Sequence, residues 1–195
     1  MRKQIHLEND VVRLRPVGVK DVEGIAKAAN YPEIWEHMSV SLLTKEAVQE
    51  YVENAIKERE EQQSYMFAII HKATNQIIGT TSFLDIAQSH RRVEIGSTWI
   101  TPSYWGTNVN TNCKFLLLTY CFEEMNLNRV QIKTGHENIR SQKAIERLGA
   151  TKEGILRNHM IRKEGTIRHT VMYSMIHEEW PEIRVRFLEE LLTNK

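Results

Sequence analysis

The order of strand-like and helix-like segments constrains the fold of this chain more than any other feature of its sequence. No internal repeat, low-complexity tract or linker rich in Gly, Ser and Pro interrupts the 195 residues. The segments run as strand, helix, helix, several strands, helix, strand, helix, two strands and a last helix. This order predicts an α+β fold built on a mixed sheet rather than a doubly wound parallel sheet.

Apolar periodicity and turn residues place the individual segments. Strands are predicted at residues 11–15, 65–70, 76–83, 92–100 and 129–134, and in a hairpin over residues 151–176 that turns at Glu164 and Gly165. Helices are predicted at residues 20–29, 44–56, 111–125, 139–148 and 181–192. Thr44 is the predicted N-cap of the second helix, Gly79 marks a bulge, and Gly149 closes the fourth helix. The last helix is expected to bury Ile183, Phe187, Leu188 and Leu191 along one side.

Composition places the chain among ordinary globular proteins. Hydrophobic residues make up 41% and charged residues 26% of the sequence, which is far from the composition of disordered chains. Lys and Arg number 26 against 25 Asp and Glu, so no overall field favours nucleic acid or an anionic membrane. No segment approaches the apolar length of a membrane span. We therefore expect one cytoplasmic domain over residues 1–195, with a core at residues 11–180 and a C-terminal helix at 181–192.

Cysteine and histidine residues give no pattern that predicts a metal site. Cys113 and Cys121 lie too far apart for a Cys-x-x-Cys pair, and we expect both to be reduced core residues. The eight histidines are scattered without the spacing of metal ligands, so no metal is expected. His136 is the histidine of most interest, because it lies two residues before a candidate ligand-binding segment that begins at Asn138.

Two segments contain residues that suit a phosphate-bearing ligand. Residues 94–114 pass from a strand through a loop into a helix, whose free N–H groups and dipole favour an anion such as a pyrophosphate. Residues 138–150 follow a short strand, and Asn138 can cap the next helix while its amide stays free for a ligand. Ser141 lies in the first turn of that helix. Taken alone, Asn138 and Ser141 are better explained as local helix caps, because Asn and Ser are favoured at helix starts for local reasons.

The order of elements and these two segments together resemble the GNAT N-acetyltransferases. The most specific piece is N-x-x-S-x-x-A-x-x-x-L-G-A over residues 138–150, supported by the strand at Glu94, Ile95 and Gly96. The resemblance extends from Val12 to Trp180 and is closest to the ribosomal-protein N-acetyltransferase branch. It implies a mostly antiparallel sheet flanked by helices, with two splayed parallel strands that hold acetyl-CoA.

The resemblance also assigns residues to the ligands. The residues implied in binding acetyl-CoA are Trp99, Ile100, Trp105, Gly106, Thr107, Asn108, Val109, Asn110, Thr111, Asn138 and Ser141. Ser141 is the expected donor of a proton to the leaving thiolate, and Glu94 is the expected base, directly or through water. Trp35, Met38 and Glu94 are expected to contact an amine acceptor. The implied reaction is direct acetyl transfer with no metal, and the acceptor is a small amine, an amino acid or a protein N-terminus.

The sequence departs from the family pattern in two places, the phosphate loop and the position of a proton-donating tyrosine. The phosphate loop of the family reads Q/R-x-x-G-x-G/A, and its three defining positions fall here on Trp105, Asn108 and Asn110. Some members of the branch have Asn at the last position, so Asn108 is the real departure, and we expect it to replace a glycine by adopting positive φ at modest strain. The tyrosine that many members use as an acid falls at Ile145, which has no proton to donate.

These departures leave two alternatives to an active enzyme. A non-catalytic acyl-CoA-binding or regulatory protein would keep the fold and bind the cofactor without turnover. A protein-interaction module would bind no CoA and would use sheet edges or exposed aromatic residues. A homodimer is compatible with every reading, because Trp180, Phe187 and several leucines in the C-terminal region suit either a core or a dimer face.

Overall fold

A single mixed sheet forms the centre of the fold. The computed structural model describes residues 4–162 and 165–192 of the chain, and within them the sheet has eight strands in the order β1-β2-β3-β4-β5-β6-β8-β7. The strands are β1 (Leu7–Glu8), β2 (Val12–Pro16), β3 (Tyr65–His71), β4 (Gln76–Ala87), β5 (Arg92–Ile100), β6 (Arg129–Gly135), β7 (Thr151–Ile161) and β8 (Ile167–Ile176). Neighbouring strands are antiparallel except β5 and β6, which run parallel. The predicted mixed sheet is therefore confirmed.

Helices connect the strands and cover both faces of the sheet. They are α1 (Val22–Ala29), α2 (Lys45–Glu60), α3 (Val109–Thr119), α4 (Ile139–Arg147) and α5 (Trp180–Arg186). Thr44 caps α2 as predicted, because its Oγ1 accepts a hydrogen bond from the N–H of Ala47 at 3.2 Å. Gly149 follows α4 with φ of +95°, the left-handed conformation that ends many helices.

Buried apolar side chains form a separate cluster on each face. On one face, α3, α4 and α5 pack over residues such as Ile95 and Ile132. On the other face, α1 and α2 pack over Trp99 and its neighbours. The apolar stripe of α2 contributes Val48 and Val52 to this second cluster, as its spacing predicts. A ligand that passes between two strands would therefore meet different helices on the two sides.

The parallel pair β5 and β6 stays together over a short distance. The strands are paired from Arg92 opposite Arg129 to Glu94 opposite Gln131. Beyond that point the ladder ends, while β5 remains paired with β4 and β6 with β8. The sheet therefore opens between residues 95–100 of β5 and residues 132–135 of β6, and the splayed parallel strands are confirmed.

The bulge predicted at Gly79 is also confirmed. Ile69 pairs with Gly79 and Ile70 with Ile77, so β4 contains one extra residue at this point. A Cβ atom on Gly79 would lie 2.1 Å from a carbonyl oxygen of β5. Glycine is required here because any side chain would force the two strands apart.

Both cysteines are buried, as predicted from the sequence, whereas the last helix differs from its prediction. Cys113 and Cys121 are unpaired and fully buried, and burial raises the pKa of the Cys113 thiol to about 12. The prediction that Leu188 is buried is wrong, since 42% of its surface is exposed. Its segment, Phe187–Leu191, is a π-helical turn closed by the Leu192 N–H on the Phe187 carbonyl oxygen, and the wider turn rotates Leu188 toward solvent.

The bounds of α3 and the presence of β1 also differ from what the sequence predicts. Helix α3 begins at Val109 rather than Thr111 and gives way to a π-helical turn at Tyr120–Glu124. The two-residue strand β1 was not predicted, because so short a segment shows no alternation. Glu164 of the predicted hairpin turn lies outside the described residues, and Gly165 has the positive φ, +85°, that suits a turn.

Candidate active site

A cleft opens where β5 and β6 separate. Its volume is about 460 Å³, and its walls come from both strands, from the loop before α3, from the first turns of α3 and α4, and from the segment after α1. Along the opening, each strand is hydrogen-bonded to the sheet on its outer side only. Inner N–H and C=O groups of this stretch therefore have no partner strand and can bind an extended ligand as an added strand. The Ile100 carbonyl oxygen is an exception, because Trp105 Nε1 donates to it at 2.7 Å.

A tight turn leads from β5 into α3. Trp105 is extended and Gly106 has φ of +72°, which is the order of the two central residues in a type II turn. Asn108 has φ of −76°, so the expectation that it replaces a glycine at positive φ is wrong. Gly106 supplies the left-handed residue two positions earlier, and Asn108 enters the helix without backbone strain.

The start of α3 offers free backbone donors to the cleft. Thr107 Oγ1 donates to the Tyr104 carbonyl oxygen at 2.8 Å and accepts from the Val109 N–H at 3.3 Å. The N–H groups of Asn110 and Thr111 lie in the first turn, where a helix provides no acceptor. Together with the helix dipole they form a seat for phosphate oxygens. The side chain of Asn110 lines the cleft beside them.

Three of the residues implied in cofactor binding lie beside the cleft rather than on its wall. Asn108 holds Asn112 by accepting two hydrogen bonds at its carbonyl oxygen, both at 2.9 Å. Val109 is buried, and Thr111 Oγ1 accepts a hydrogen bond from Arg147 of α4 at 2.9 Å. Contact of these three with a ligand would therefore be through their backbone atoms. The bond from Arg147 also ties α4 to α3.

Asn138 and Ser141 form the start of α4 on the opposite wall. Asn138 Oδ1 accepts a hydrogen bond from the Ser141 N–H at 3.0 Å, which confirms the predicted cap. Within the described residues, no protein group binds the amide nitrogen of Asn138 or the hydroxyl of Ser141, and both residues line the cleft. Gln142, which sequence reasoning missed, donates to the His136 carbonyl oxygen at 2.8 Å and fixes this helix start against the end of β6.

A second bulge shapes the β5 wall. Ser97 has φ of +47°, and two residues of β5, Ser97 and Thr98, lie opposite the single residue Thr81 of β4. Thr98 Oγ1 lies 2.8 Å from Thr81 Oγ1 and accepts a hydrogen bond from Lys114 Nζ, also at 2.8 Å. Lys114 is 5% exposed, and it reaches the cleft from α3 on the same face of the sheet as α4.

Trp99 and Ile100 line the cleft, whereas Trp35 does not. Trp99 packs against Trp35 with ring centroids 5.3 Å apart, and Trp35 Nε1 donates to the Ala29 carbonyl oxygen. Trp35 is buried behind Trp99, so it packs the helices onto the sheet and does not line the cleft. Met38, the other predicted residue of this segment, lies on the cleft wall.

Glu94 lies on the face of the sheet opposite to Ser141. It is 2% exposed, and its Oε2 accepts hydrogen bonds from Lys133 Nζ at 2.9 Å and Gln131 Nε2 at 3.4 Å. The negative charge of the expected base is therefore balanced by a neighbouring ammonium group. To accept a proton from a substrate, Glu94 would have to exchange part of this ion pair for the substrate amine.

Two other basic residues extend along the cleft. Arg168 Nε is buried and has no acceptor within the described residues, and burial followed by the nearby charge of Arg162 lowers the pKa of the Arg168 guanidinium against the opposing effect of Glu94. Arg140, in the first turn of α4, lies 4.0 Å from the ring centroid of Trp105. This cation–π contact connects the two walls at the mouth of the cleft.

His136 does not line the cleft, although its neighbours Gly135 and Asn138 do. Its Nδ1 is buried without a partner in the described residues, and its ring lies 4.7 Å from that of His169. Among residues 4–162 and 165–192, no group of three or more His, Cys, Asp or Glu side chains could hold a metal ion. No helix in the same residues is both long enough and apolar enough to cross a membrane.

Sequence reasoning missed Lys114, Lys133 and Arg168. Lys114 had a readable signal: it precedes Leu117, Leu118 and Cys121 by three, four and seven residues, so it is the charged member of an apolar helical stripe. Lys133 and Arg168 gave no such signal. Their places depend on the pairing of strands that are distant in sequence.

Comparison with known proteins agrees with this fold and this cleft. Residues 12–151 match the family described as an acetyltransferase (GNAT) domain. "Uncharacterized N-acetyltransferase p20" of Bacillus licheniformis is 29% identical over 175 residues, which cover 89% of this chain and 97% of that protein. "Putative ribosomal N-acetyltransferase YdaF" of Bacillus subtilis is 35% identical over 104 residues, 53% of this chain and 56% of that protein.

Solved structures extend the agreement to three dimensions. The crystal structure of a GCN5-related N-acetyltransferase from Brucella melitensis superposes with a TM-score of 0.90 at 25% identity, over 97% of this chain and 86% of that one. The chain belongs to the GNAT acetyltransferase family, whose members use acetyl-CoA.

Proposed function

We propose that this protein transfers the acetyl group of acetyl-CoA directly to a primary amine. The observation that carries the proposal is the cleft of about 460 Å³, which combines unpaired strand edges with the free N–H groups at the start of α3. Phosphate oxygens suit the helix start, and the pantetheine amides suit the strand edges and the free amide of Asn138. This combination fits a long ligand with phosphates at one end and amides along its length.

In the proposed reaction, the amine nitrogen attacks the thioester carbon while the ligand is held in the open sheet. A backbone N–H near the bulge at Ser97 stabilises the negative oxygen, since the extra residue of a bulge leaves ladder groups unpaired. Ser141 donates its hydroxyl proton toward the leaving sulfur. Glu94 accepts a proton from the amine directly or through water, on the opposite face of the sheet.

Isothermal titration with acetyl-CoA is the first test of this function. Micromolar binding is the expected result. Release of free thiol should then be followed with a panel of small amines, amino acids and peptides with free N-termini. The absence of binding would refute the proposal, and binding without turnover of any amine would favour a non-catalytic acyl-CoA-binding protein. That alternative is motivated by the loop residues Trp105, Asn108 and Asn110, of which Asn108 has ordinary helical backbone angles.

Variants of the two proposed catalytic residues test their roles. Ser141→Ala and Glu94→Gln should each lower kcat by about ten- to thousand-fold, the range for loss of a proton-transfer group. Ser89→Ala is the control for the first, because Ser89 is exposed and outside the cleft. Glu153→Gln is the control for the second, because Glu153 is ion-paired to Arg129 away from the cleft. Equal rates in a variant and its control would remove that residue from the mechanism.

We also propose that the protein is a single domain and that it forms a homodimer through β7. Trp180 and Phe187 are buried in the chain's own core, so they offer no surface for self-association. Strand β7 lies at the edge of the sheet, and Ile155 and Ile161 on it are exposed. Sedimentation of the wild type and of Ile155→Lys tests this. A dimer lost in the variant supports the proposal, and a monomeric wild type contradicts it.

A further inference from the structure

A buried lysine without a counterion faces the cofactor side of the cleft. Lys114 is 5% exposed, and within the described residues no carboxylate lies within ion-pair distance of its Nζ. Its one hydrogen-bond partner there is Thr98 Oγ1 at 2.8 Å. An ammonium group has three protons, so two donors remain unused. Because buried charges are normally paired, this site lacks a negative or strongly polar partner that a ligand can supply.

The position of Lys114 indicates which part of a ligand it meets. It follows Asn110 by four residues, so the two side chains lie on one side of α3, one turn apart. Asn110 is at the phosphate seat, and both residues line the cleft, where Lys114 is the more buried of the two. Its partner Thr98 belongs to the bulge of β5, at the stretch where the strand has no partner on β6. Ser141 and Ile145 of α4 line the same cleft and cover the same face.

We propose that Lys114 is the cation that faces the sulfur of acetyl-CoA and the source of the proton that the departing thiolate takes up. The proposal rests on the proposed function. When the C–N bond has formed and the C–S bond breaks, the electron pair of that bond stays on sulfur, and the ammonium group balances the new charge. Sulfur then takes a proton from Lys114, directly or through the Ser141 hydroxyl. Lys114 regains a proton equivalent to the one lost by the acceptor nitrogen, so the protein is unchanged after each turnover.

The other protic groups of the cleft are less suited to this role. A serine hydroxyl holds its proton far above neutral pH, so Ser141 needs a second group to restore it. Lys133 is paired with Glu94 on the opposite face, and Arg140 stacks on Trp105 at the mouth. Arginine also does not release its proton in proteins.

The electrostatic surroundings of Lys114 support the proposal. Burial lowers the pKa of its ammonium group to about 8, near the value of an ordinary thiol, so a proton can move between the two at little cost. The ionisable neighbour that affects it is the Cys113 thiol, whose own pKa burial raises to about 12. Across the cleft, β5 contributes the neutral Thr98 and α4 the neutral Ser141 and Ile145.

The test measures the ionisation of CoA bound to the protein and needs no acceptor. The thiolate of bound CoA is followed by its ultraviolet absorbance from neutral to alkaline pH, and the same titration with desulfo-CoA is subtracted. In the wild type, the bound thiol should ionise at least one pH unit below free CoA, because the ammonium group favours the thiolate. In Lys114→Met the ionisation constant should fall at least tenfold. Lys114→Gln should behave in the same way.

Controls separate this inference from the proposed function. Lys143→Met removes an exposed lysine of α4 and should leave the titration unchanged. If calorimetry finds no CoA binding to the wild type, the proposed function itself has failed. If CoA binds and its thiol ionises as in free CoA, or equally in wild type and Lys114→Met, the role of Lys114 is overturned. The comparison of bound CoA with free CoA uses the wild-type protein alone, so it tests the role of Lys114 even if a variant fails to fold.

Kinetics provide a second measurement once an acceptor is found. Lys114→Met should lower kcat by about ten- to thousand-fold, as expected for loss of a proton donor, with little change in KM for acetyl-CoA. A lysine that only anchors Thr98 would instead change KM, or neither constant, and would leave the thiol titration as it is in the wild type.

Discussion

Replacing Lys114 by methionine should make the folded protein more stable at neutral pH. A lysine has an ordinary pKa of 10.5, and burial lowers that of Lys114 to about 8. At about 1.36 kcal/mol per pH unit, keeping this group charged in the folded protein at pH 7 costs about 3 kcal/mol. The methionine variant is free of this cost but loses the hydrogen bond to Thr98, worth about 1 kcal/mol. The variant should therefore gain about 2 kcal/mol in its free energy of unfolding.

The pH dependence of the stability difference between Lys114→Met and the wild type shows whether the charge of Lys114 causes it. The pKa of Lys114 is lower in the folded protein than in the unfolded chain, so the unfolded chain binds more protons between pH 8 and pH 10.5. As the pH rises through that window, the wild type therefore gains stability relative to Lys114→Met. Urea unfolding of both proteins at pH 7 and pH 10 measures the difference, in which the other titrating groups cancel. The advantage of Lys114→Met should largely disappear at the higher pH.

Lys143→Met is the matched control for this experiment, since Lys143 is exposed and its loss should change stability by less than about 0.5 kcal/mol at either pH. The reasoning would be refuted if Lys114→Met were less stable than the wild type by the same amount at both pH values. Lys114 would then contribute through packing and its hydrogen bond, and its charge would not be costly. If Lys114→Met is more stable than the wild type but less active, Lys114 is a functional group that lowers the stability of the folded protein.

Four other substitutions test the fold and the proposed cofactor site. Arg15→Met should destabilise the protein by about 3 kcal/mol in urea, because it leaves the buried carboxylate of Asp21 without its countercharge. Burial raises the pKa of Asp21, but Arg15 and the hydrogen bond from the Gly18 N–H outweigh this and lower the pKa, so the wild type should lose this stabilisation below about pH 4. Gly79→Ala should lower the melting temperature sharply or prevent folding, because its Cβ would lie 2.1 Å from a carbonyl oxygen of β5; a melting temperature equal to that of the wild type would contradict the close approach. Asn138→Ala and Thr44→Ala should each cost about 1 kcal/mol as lost helix caps, but calorimetry should find weaker binding of acetyl-CoA in Asn138→Ala alone.

Local sequence patterns predicted most of the fold because each element has its own periodicity and its own end signals. Thr44 and Asn138 cap their helices as their sequence positions suggest, and Gly79 marks the bulge. The bulge at Ser97 could not be predicted in this way. Serine has no special preference for positive φ, and the irregularity follows from the register between β4 and β5.

The phosphate loop shows how a family pattern can mislead when it is applied residue by residue. The pattern places a glycine at the position of Asn108, which suggested that the asparagine would adopt positive φ. The structure provides the left-handed residue at Gly106 and lets Asn108 start the helix with ordinary angles. Local spacing alone could not show this, because the turn depends on where Trp105 packs, with its Nε1 donating to the Ile100 carbonyl oxygen at 2.7 Å.

The charged residues of the candidate site lie on both faces of the sheet, and the opening between β5 and β6 gives residues of both faces access to the cleft. Lys114 and Ser141 approach from the face covered by α3 and α4, whereas Glu94 and Lys133 lie on the opposite face. Acetyl transfer to an amine removes a proton from nitrogen and delivers one to sulfur, so a base and an acid are needed at the two ends of one short reaction path. A sheet that is paired everywhere would keep its two faces apart. The early end of the ladder between β5 and β6 joins them, so the proposed base on one face and the proposed acid on the other can reach a single bound thioester.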